Sequence, residues 1–220
     1  MPFLGIVIVI NAAIFDMDGL LIDSERIIMQ ACIAAAKQVD ITYTQVQYVQ
    51  LIGRSGADSA RRMVDQLKGE DNFNRVMQYV DAQLAHINNT FPVKAGALDL
   101  LKHYQAKNVF CSVVSSSTHH INHLLNQVNA LHYLYQVTSG HEVINGKPSP
   151  DIYLIAVQKL GLTVSECIAF EDSEMGARAA IAAGLKVVVV PDLLQPREFT
   201  KEYSHKVVPN LKDSTASPNH

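Results

Sequence analysis

A chain of 220 residues, 48% of them hydrophobic, can bury a substantial core and suits one large domain or a domain carrying an insertion. Its 18 Lys+Arg against 21 Asp+Glu give a formal charge of −3, and no cluster of four or more basic residues interrupts that balance, which argues against nucleic acid as a partner. Cys32, Cys111 and Cys167 lie far apart inside apolar runs without CxxC spacing, so they read as reduced core residues of a cytoplasmic protein.

The first element is the almost wholly apolar "MPFLGIVIVINAAIF". It is interrupted at Asn11, stops at Asp16 and has no basic residue before Arg26. It therefore reads as a buried strand with a few residues ahead of it, not as a signal peptide or a bilayer span, and no membrane partner is expected. Residues 24 to 90 hold four amphipathic helical stretches and no convincing strand: "SERIIMQACIAAAKQ", "YTQVQYVQLI", "GADSARRMVDQL" and "DNFNRVMQYVDAQLAHI". They predict a helical insertion over 23–91, set into a core made of 1–22 and 92–220. The return point is "FPVKAG", where Pro92 and Gly96 suit a hinge-like linker. Beyond it, β-branched runs at 109–115, 135–139, 167–171 and 186–190 alternate with helical patterns near 96–106, 118–128, 150–161 and 173–183. That alternation predicts an α/β fold with a doubly wound parallel sheet covered by helices on both faces. "VVVVPDLLQPREF" reads as ordinary strand-to-loop chemistry, and the polar tail "KDSTASPNH" reads as frayed.

In such a sheet, ligands bind outside the carboxyl ends of the strands. Asp16 closes the first strand, Ser115 the second, and Glu171 with Asp172 close "CIAFEDS", while Lys147 follows the third strand in "NGKPSPD". Taken singly, each could be an N-cap, a turn residue or a solvated charge. Together they deliver acid, hydroxyl and amine to one rim. Carboxylates about 4 Å apart repel by ~4 kcal/mol at an effective dielectric near 20, so a cation must join them. An all-oxygen set without His or Cys suits a hard divalent ion, Mg2+ before Zn2+. The glycine of "DMDG" and the helix starts after the strands suit a tetrahedral dianion, and phosphoryl transfer follows.

"FDMDGLLIDSE", "VVSSS", "GKPSPDIY" and "FEDSEMGARAA" together resemble the four motifs of the haloacid dehalogenase superfamily, in its phosphatase and phosphomutase branch with a helical cap inserted after the first motif. With that cap, the resemblance covers nearly the whole chain. It implies a Rossmann-like core, a small phosphorylated metabolite as substrate, Mg2+ as cofactor and a monomer or weak dimer. Asp16 would be the nucleophile and Asp18 the general acid and then base. Met17 and Gly19 would lie against the phosphate, Ser115 and the Ser116 amide would hold its oxygens, and Lys147 would offset charge. Asp16, the Asp18 main-chain carbonyl and Asp172 would hold the metal, with Glu171 ligating directly or through water. The intact Asp-x-Asp disfavours dehalogenation, whose relatives attack carbon with a single aspartate. A non-catalytic protein on this fold would be expected to have lost one of these groups.

Substrate choice would belong to the cap, where "LIGRSGADSARRM" makes Arg54 and Ser55 candidates, whereas Arg61 and Arg62 read as a solvated helix face. His119 and His123, with His120, have helical spacing but no further ligand type nearby, which argues against a metal site. Sugar phosphomutases of this branch use a histidine early in the first cap helix. Here Ile27, Ile28 and Met29 fall there, and no histidine precedes His86, so hydrolysis is favoured over mutation.

Overall fold

The computed structural model describes residues 9–87, 90–117 and 121–215. The first eight residues of the apolar N-terminal run, and His119 and His120, lie outside them. Six parallel strands form one sheet: β1 (Ala12–Asp16), β2 (Phe110–Ser115), β3 (Gln136–Ser139), β4 (Cys167–Glu171), β5 (Lys186–Val189) and β6 (Lys206–Val207), in the order β3-β2-β1-β4-β5-β6. The order reverses beside β1, so the C-terminal ends of β1, β2 and β4 open on the crevice where such sheets bind ligands.

Strand side chains alternate between two buried faces. Ala13 and Phe15 enter one core with Phe170, Leu100 and Leu101, while Ala12 and Ile14 enter the other with Ile152, Tyr153 and Ala180. Phe15 and Phe170 are register partners with stacked rings 4.9 Å apart, and burying each ring stabilises the sheet by about 1.5–3 kcal/mol.

The helices between β1 and β2 are α1 (Ser24–Gln38), α2 (Gln45–Tyr48), α3 (Gly56–Gln66), α4 (Glu70–His86) and α5 (Ala97–Ala106). The first four enclose a separate core of Met29, Cys32, Tyr48, Met63, Leu67 and Val76. The two chain crossings that join these helices to the sheet run side by side. Ile22 bridges Val93, the Asp23 amide donates to the Pro92 carbonyl at 2.8 Å, and the Lys94 amide donates to the Leu21 carbonyl at 2.9 Å. After β2 come α6 (Ile121–Gln127), α7 (Asp151–Leu160), α8 (Glu174–Ala182) and α9 (Glu198–Tyr203).

One reading is corrected and two features are added. The helix expected over 43–52 is only α2, because the chain then turns, passes through Gly53 at φ +73° and delivers residues 53–55 to the sheet. A Cβ at Gly53 would overlap the side chain of Ser173, so helix geometry yields to close approach. The segment read as strand-to-loop does run from β5 into a loop, and that loop holds Asp192, which accepts from Arg26 at 2.8 Å and from Lys94 at 2.7 Å. The sixth strand, two residues long, is too short to give a periodic signal, and it pairs in parallel with β5.

Candidate active site

β1 is wholly buried and ends on Asp16, which pairs with Val114 of β2 and follows directly on the Phe15–Phe170 pair with β4. Asp16, Glu171 and Asp172 each offer a carboxylate oxygen within 4.8 Å of the others, and all three are buried. Lys147, also buried, donates to Asp16 Oδ1 and Glu171 Oε1, both at 2.5 Å. One lysine against three acids leaves the cluster short of positive charge. Burial pushes Asp16 well above the ordinary carboxylate range although Lys147 opposes it, and burial followed by the Asp16 and Glu171 charges does the same to Asp172. For Lys147, burial opposes the charge, but Asp16 and Glu171 outweigh it and hold the amine well above its ordinary value.

Glu171 is held by three groups of the protein. Its Oε1 accepts from Lys147 and from the Tyr153 hydroxyl at 2.5 Å, and its Oε2 accepts from Ser173 at 3.2 Å. Gly19, at φ +85°, packs so closely on Asp172 that any Cβ would overlap the carboxylate, which ties the turn after β1 to the end of β4. Met17, expected to lie against the phosphate, sends its side chain into the core, and its carbonyl accepts from the Leu21 and Ile22 amides at 3.0 Å.

Asp18 lines the same cavity as Asp16 but has different partners. Its Oδ1 accepts from Ser24 at 2.7 Å, and its Oδ2 accepts from Ser115 at 3.0 Å and Ser117 at 3.3 Å. Ser115 is fully buried and also accepts from the Ser117 amide, so its hydroxyl is committed to Asp18, whereas Ser116 and Ser117 line the open cavity. That cavity, of about 300 Å3, runs from Asp16, Asp18 and Asp172 to the inner face of α1, α3 and α4. Arg54 lies in its wall, donating to the Gln50 carbonyl and to Asp58, both at 2.8 Å. Ser55 caps α3 through the Asp58 amide and touches the loop of Lys147 at Gly146. Arg61 and Arg62 join Arg54 on Asp58 from the outer side.

The fold thus brings Asp16, Asp18, Ser115, Lys147, Glu171 and Asp172 to one rim with Arg54 opposite. His123 bonds to Gln127 at 3.0 Å, and its expected companion His119 lies outside the described residues. Sequence reasoning missed Ser24 and Ser117, which hold Asp18, Tyr153 and Ser173, which hold Glu171, and Glu25 and Tyr48 in the cavity wall. Ser24 and Glu25 stand inside "FDMDGLLIDSE", Ser117 inside "VVSSS", Tyr153 inside "GKPSPDIY" and Ser173 inside "FEDSEMGARAA", which is the signal that could have found them, whereas Tyr48 lies in none of these strings.

Residues 13–190 match the family described as haloacid dehalogenase-like hydrolase, and the chain belongs to that family. A curated relative from Drosophila melanogaster, named probable pseudouridine-5'-phosphatase, is 33% identical over 213 residues, which span 93% of this chain and 91% of that protein. The phosphorylated carbohydrates phosphatase of Thermotoga maritima is 25% identical over 178 residues, 80% of this chain and 82% of the relative. A crystal structure from Haemophilus somnus, described as a predicted phosphoglycolate phosphatase, superposes with a TM-score of 0.78 over 93% of this chain and 96% of its own, at 21% identity, and shares the fold. Among the described residues, no helix is long and apolar enough to cross a membrane.

Proposed function

We propose that this chain is a Mg2+-dependent phosphatase that hydrolyses small phosphorylated metabolites, sugar phosphates among them, through an aspartyl-phosphate on Asp16. The carrying observation is Asp16 and Asp18 together in the wall of one cavity, with Lys147 bonded to Asp16 and an undercompensated acidic cluster beside it. The names of the curated relatives, phosphatases of phosphorylated small molecules, support it.

The donor set fits a hard cation, because all its ligand atoms are oxygens and their buried charge exceeds that of Lys147. Asp16, Asp172 and the main-chain carbonyl of Asp18 would hold Mg2+, with Glu171 reaching it through water while its carboxyl keeps Lys147 and Tyr153 in place. Bound there, the ion would offset carboxylate charge and polarise the phosphoryl group.

Asp16 attacks phosphorus in line, so that its bond to phosphorus forms as the bond to the leaving oxygen breaks. Asp18 gives its proton to that oxygen. It then takes one from the water that attacks the aspartyl-phosphate, releasing inorganic phosphate and restoring both aspartates. The Ser115 hydroxyl and the Ser116 amide hold phosphate oxygens. An arriving substrate exchanges the Ser115–Asp18 bond for one to phosphate, which frees Asp18 toward the leaving group. Lys147 balances the charge on the attacked phosphate. Helices α1 to α4 act as the cap over a core of residues 1–22 and 92–220, with Arg54 and Ser55 on the cap loop that meets the substrate.

The test is phosphate release from a panel of phosphorylated metabolites with and without Mg2+, run beside Asp16→Asn. Wild type should turn over only with the metal. The nearly isosteric variant should lose at least about 100-fold in rate while keeping its melting temperature. Retention of more than about a hundredth of the rate overturns covalent catalysis by Asp16.

A further inference from the structure

Lys147 stands between two acids. Its ammonium, on an almost wholly buried side chain, donates to Asp16 Oδ1 and to Glu171 Oε1, both at 2.5 Å. A lysine carries a compact charge on a flexible stem, with three donors and no fixed fork, so its own geometry does not decide which acid holds it more closely. The other partners of the two carboxylates decide it. Among the described residues Lys147 is the one side-chain donor to Asp16, whereas Glu171 has two more.

Those two act on different oxygens. Ser173 donates to Oε2 at 3.2 Å and accepts from the Gly176 amide at 3.1 Å, which fastens that oxygen to the first turn of α8. The backbone at Gly176 lies so close that any Cβ would overlap the Glu171 carboxyl. Tyr153 donates instead to Oε1, the oxygen that Lys147 uses, at 2.5 Å, and the centre of its ring lies 5.4 Å from Lys147 Nζ, within reach of a cation–π contact. One side chain thus offers its hydroxyl to the acid and its ring to the ammonium. Tyr153 is fully buried in the core that holds Ile14, Ile152 and Ala180, where packing asks only for the ring. A buried hydroxyl costs stability unless it is bonded, and a phenylalanine would fill the same space without that demand. The hydroxyl is therefore explained by its bond to Glu171. A second donor on Oε1 satisfies part of the charge that would otherwise fall on the ammonium alone, which relaxes the pull of Glu171 on Lys147.

We propose that Tyr153 is a positioning residue for the reaction at Asp16: its hydroxyl takes a share of Glu171 Oε1 and its ring flanks the ammonium, which together keep Lys147 on Asp16. There Lys147 offsets the charge of the attacked phosphate. The consequence for rate rests on the phosphatase reading above, whereas the placement of Lys147 does not. Tyr153 is no part of the cavity wall, so it governs the rate and not which ester enters.

Tyr153→Phe keeps the ring and removes the hydroxyl. Crystal structures of the metal-free wild type and variant read the placement directly: Lys147 Nζ should stay on Glu171 and move beyond about 3.5 Å from Asp16 Oδ1. With Mg2+ and an ester that wild type turns over, kcat should fall about tenfold while KM stays within about twofold. In a Glu171→Gln background the group that competes for the ammonium is neutral, so adding Tyr153→Phe should cost about twofold or less in kcat, as expected of one residue acting through another. A hydroxyl that only stabilised the core would lower the melting temperature and leave kcat alone. Displacement of Lys147 supports the proposal even if wild type releases no phosphate, an outcome that removes the phosphatase reading alone. Lys147 unmoved on Asp16 in Tyr153→Phe overturns it, as does an unchanged kcat or an equal loss with and without the Glu171 charge.

Discussion

Glu25 stands in the first turn of α1, where a helix dipole favours charge. Burial, aided by the nearby Asp18 charge, nevertheless raises its carboxyl from the ordinary 4.5 to about 7, against the opposing bond from Tyr48. An acid whose folded pKa is raised binds its proton more tightly in the native state. Between 4.5 and about 7 the unfolded chain ionises first, so this residue's contribution to stability falls as pH rises through that window and is flat above it. Glutamine mimics the protonated form. Melting curves of Glu25→Gln and wild type, taken without metal, should therefore show the variant gaining on wild type at pH 8 relative to pH 5. Asp16 is present in both proteins, and Asp172, which the Glu25 charge helps to raise, ionises more readily in the variant, which acts in the same direction. A difference independent of pH would show that Glu25 titrates normally.

At the scale of elements, the paired crossings between cap and sheet concentrate charge. Lys94 and Arg26, one from each crossing, converge on Asp192 beyond β5, and Asp23 lies 3.5 Å from Lys94 and 3.7 Å from Arg26. Hinges are a few residues at element ends that absorb a change in backbone angles, and these crossings, with Gly96 in the left-handed region at φ +90°, have that character. If the cap closes on substrate, the two should respond as one unit, because they are hydrogen-bonded to each other. Hydrogen exchange with and without Mg2+ and a phosphate mimic should show slowing at both residues 19–24 and residues 91–96. No change at either segment would mean that the cap does not move on binding.

For the molecule as a whole, the choice between hydrolysis and transfer to a second hydroxyl depends on how long water is kept from the aspartyl-phosphate. α1 places Ile27, Ile28 and Met29 in its first turns and carries no histidine, and Ile28 lines the cavity as part of its apolar wall. The one contact from that helix to Asp18 among the described residues is the Ser24 hydroxyl, with no imidazole beside it, so on the reading proposed above hydrolysis would be the default fate of the intermediate. A hexose 1-phosphate supplied with a bisphosphate primer should release inorganic phosphate faster than it yields the 6-phosphate isomer. The reverse order would make the chain a mutase.

The doubly wound sheet, the helical insertion and the rim of Asp16, Ser115, Lys147, Glu171 and Asp172 were legible in the chain because strand and helix periods are local. A side chain at a strand end can be located by counting along one segment. Three features were not legible. The short α2 gives way at Gly53 because Ser173, 120 positions on, stands where a Cβ would go. Asp192 reads as a loop residue until Arg26 and Lys94 arrive from more than ninety positions away. Ser115 reads as a phosphate ligand in its own strand, but its hydroxyl is turned to Asp18 by the register of β1 on β2. Sequence alone determined which chemistry the chain carries, since residue type and spacing decide which groups share a rim. Tertiary structure alone decided which partner each group holds and what lines the far wall of the cavity, because those contacts join segments whose separation in sequence leaves no periodic trace.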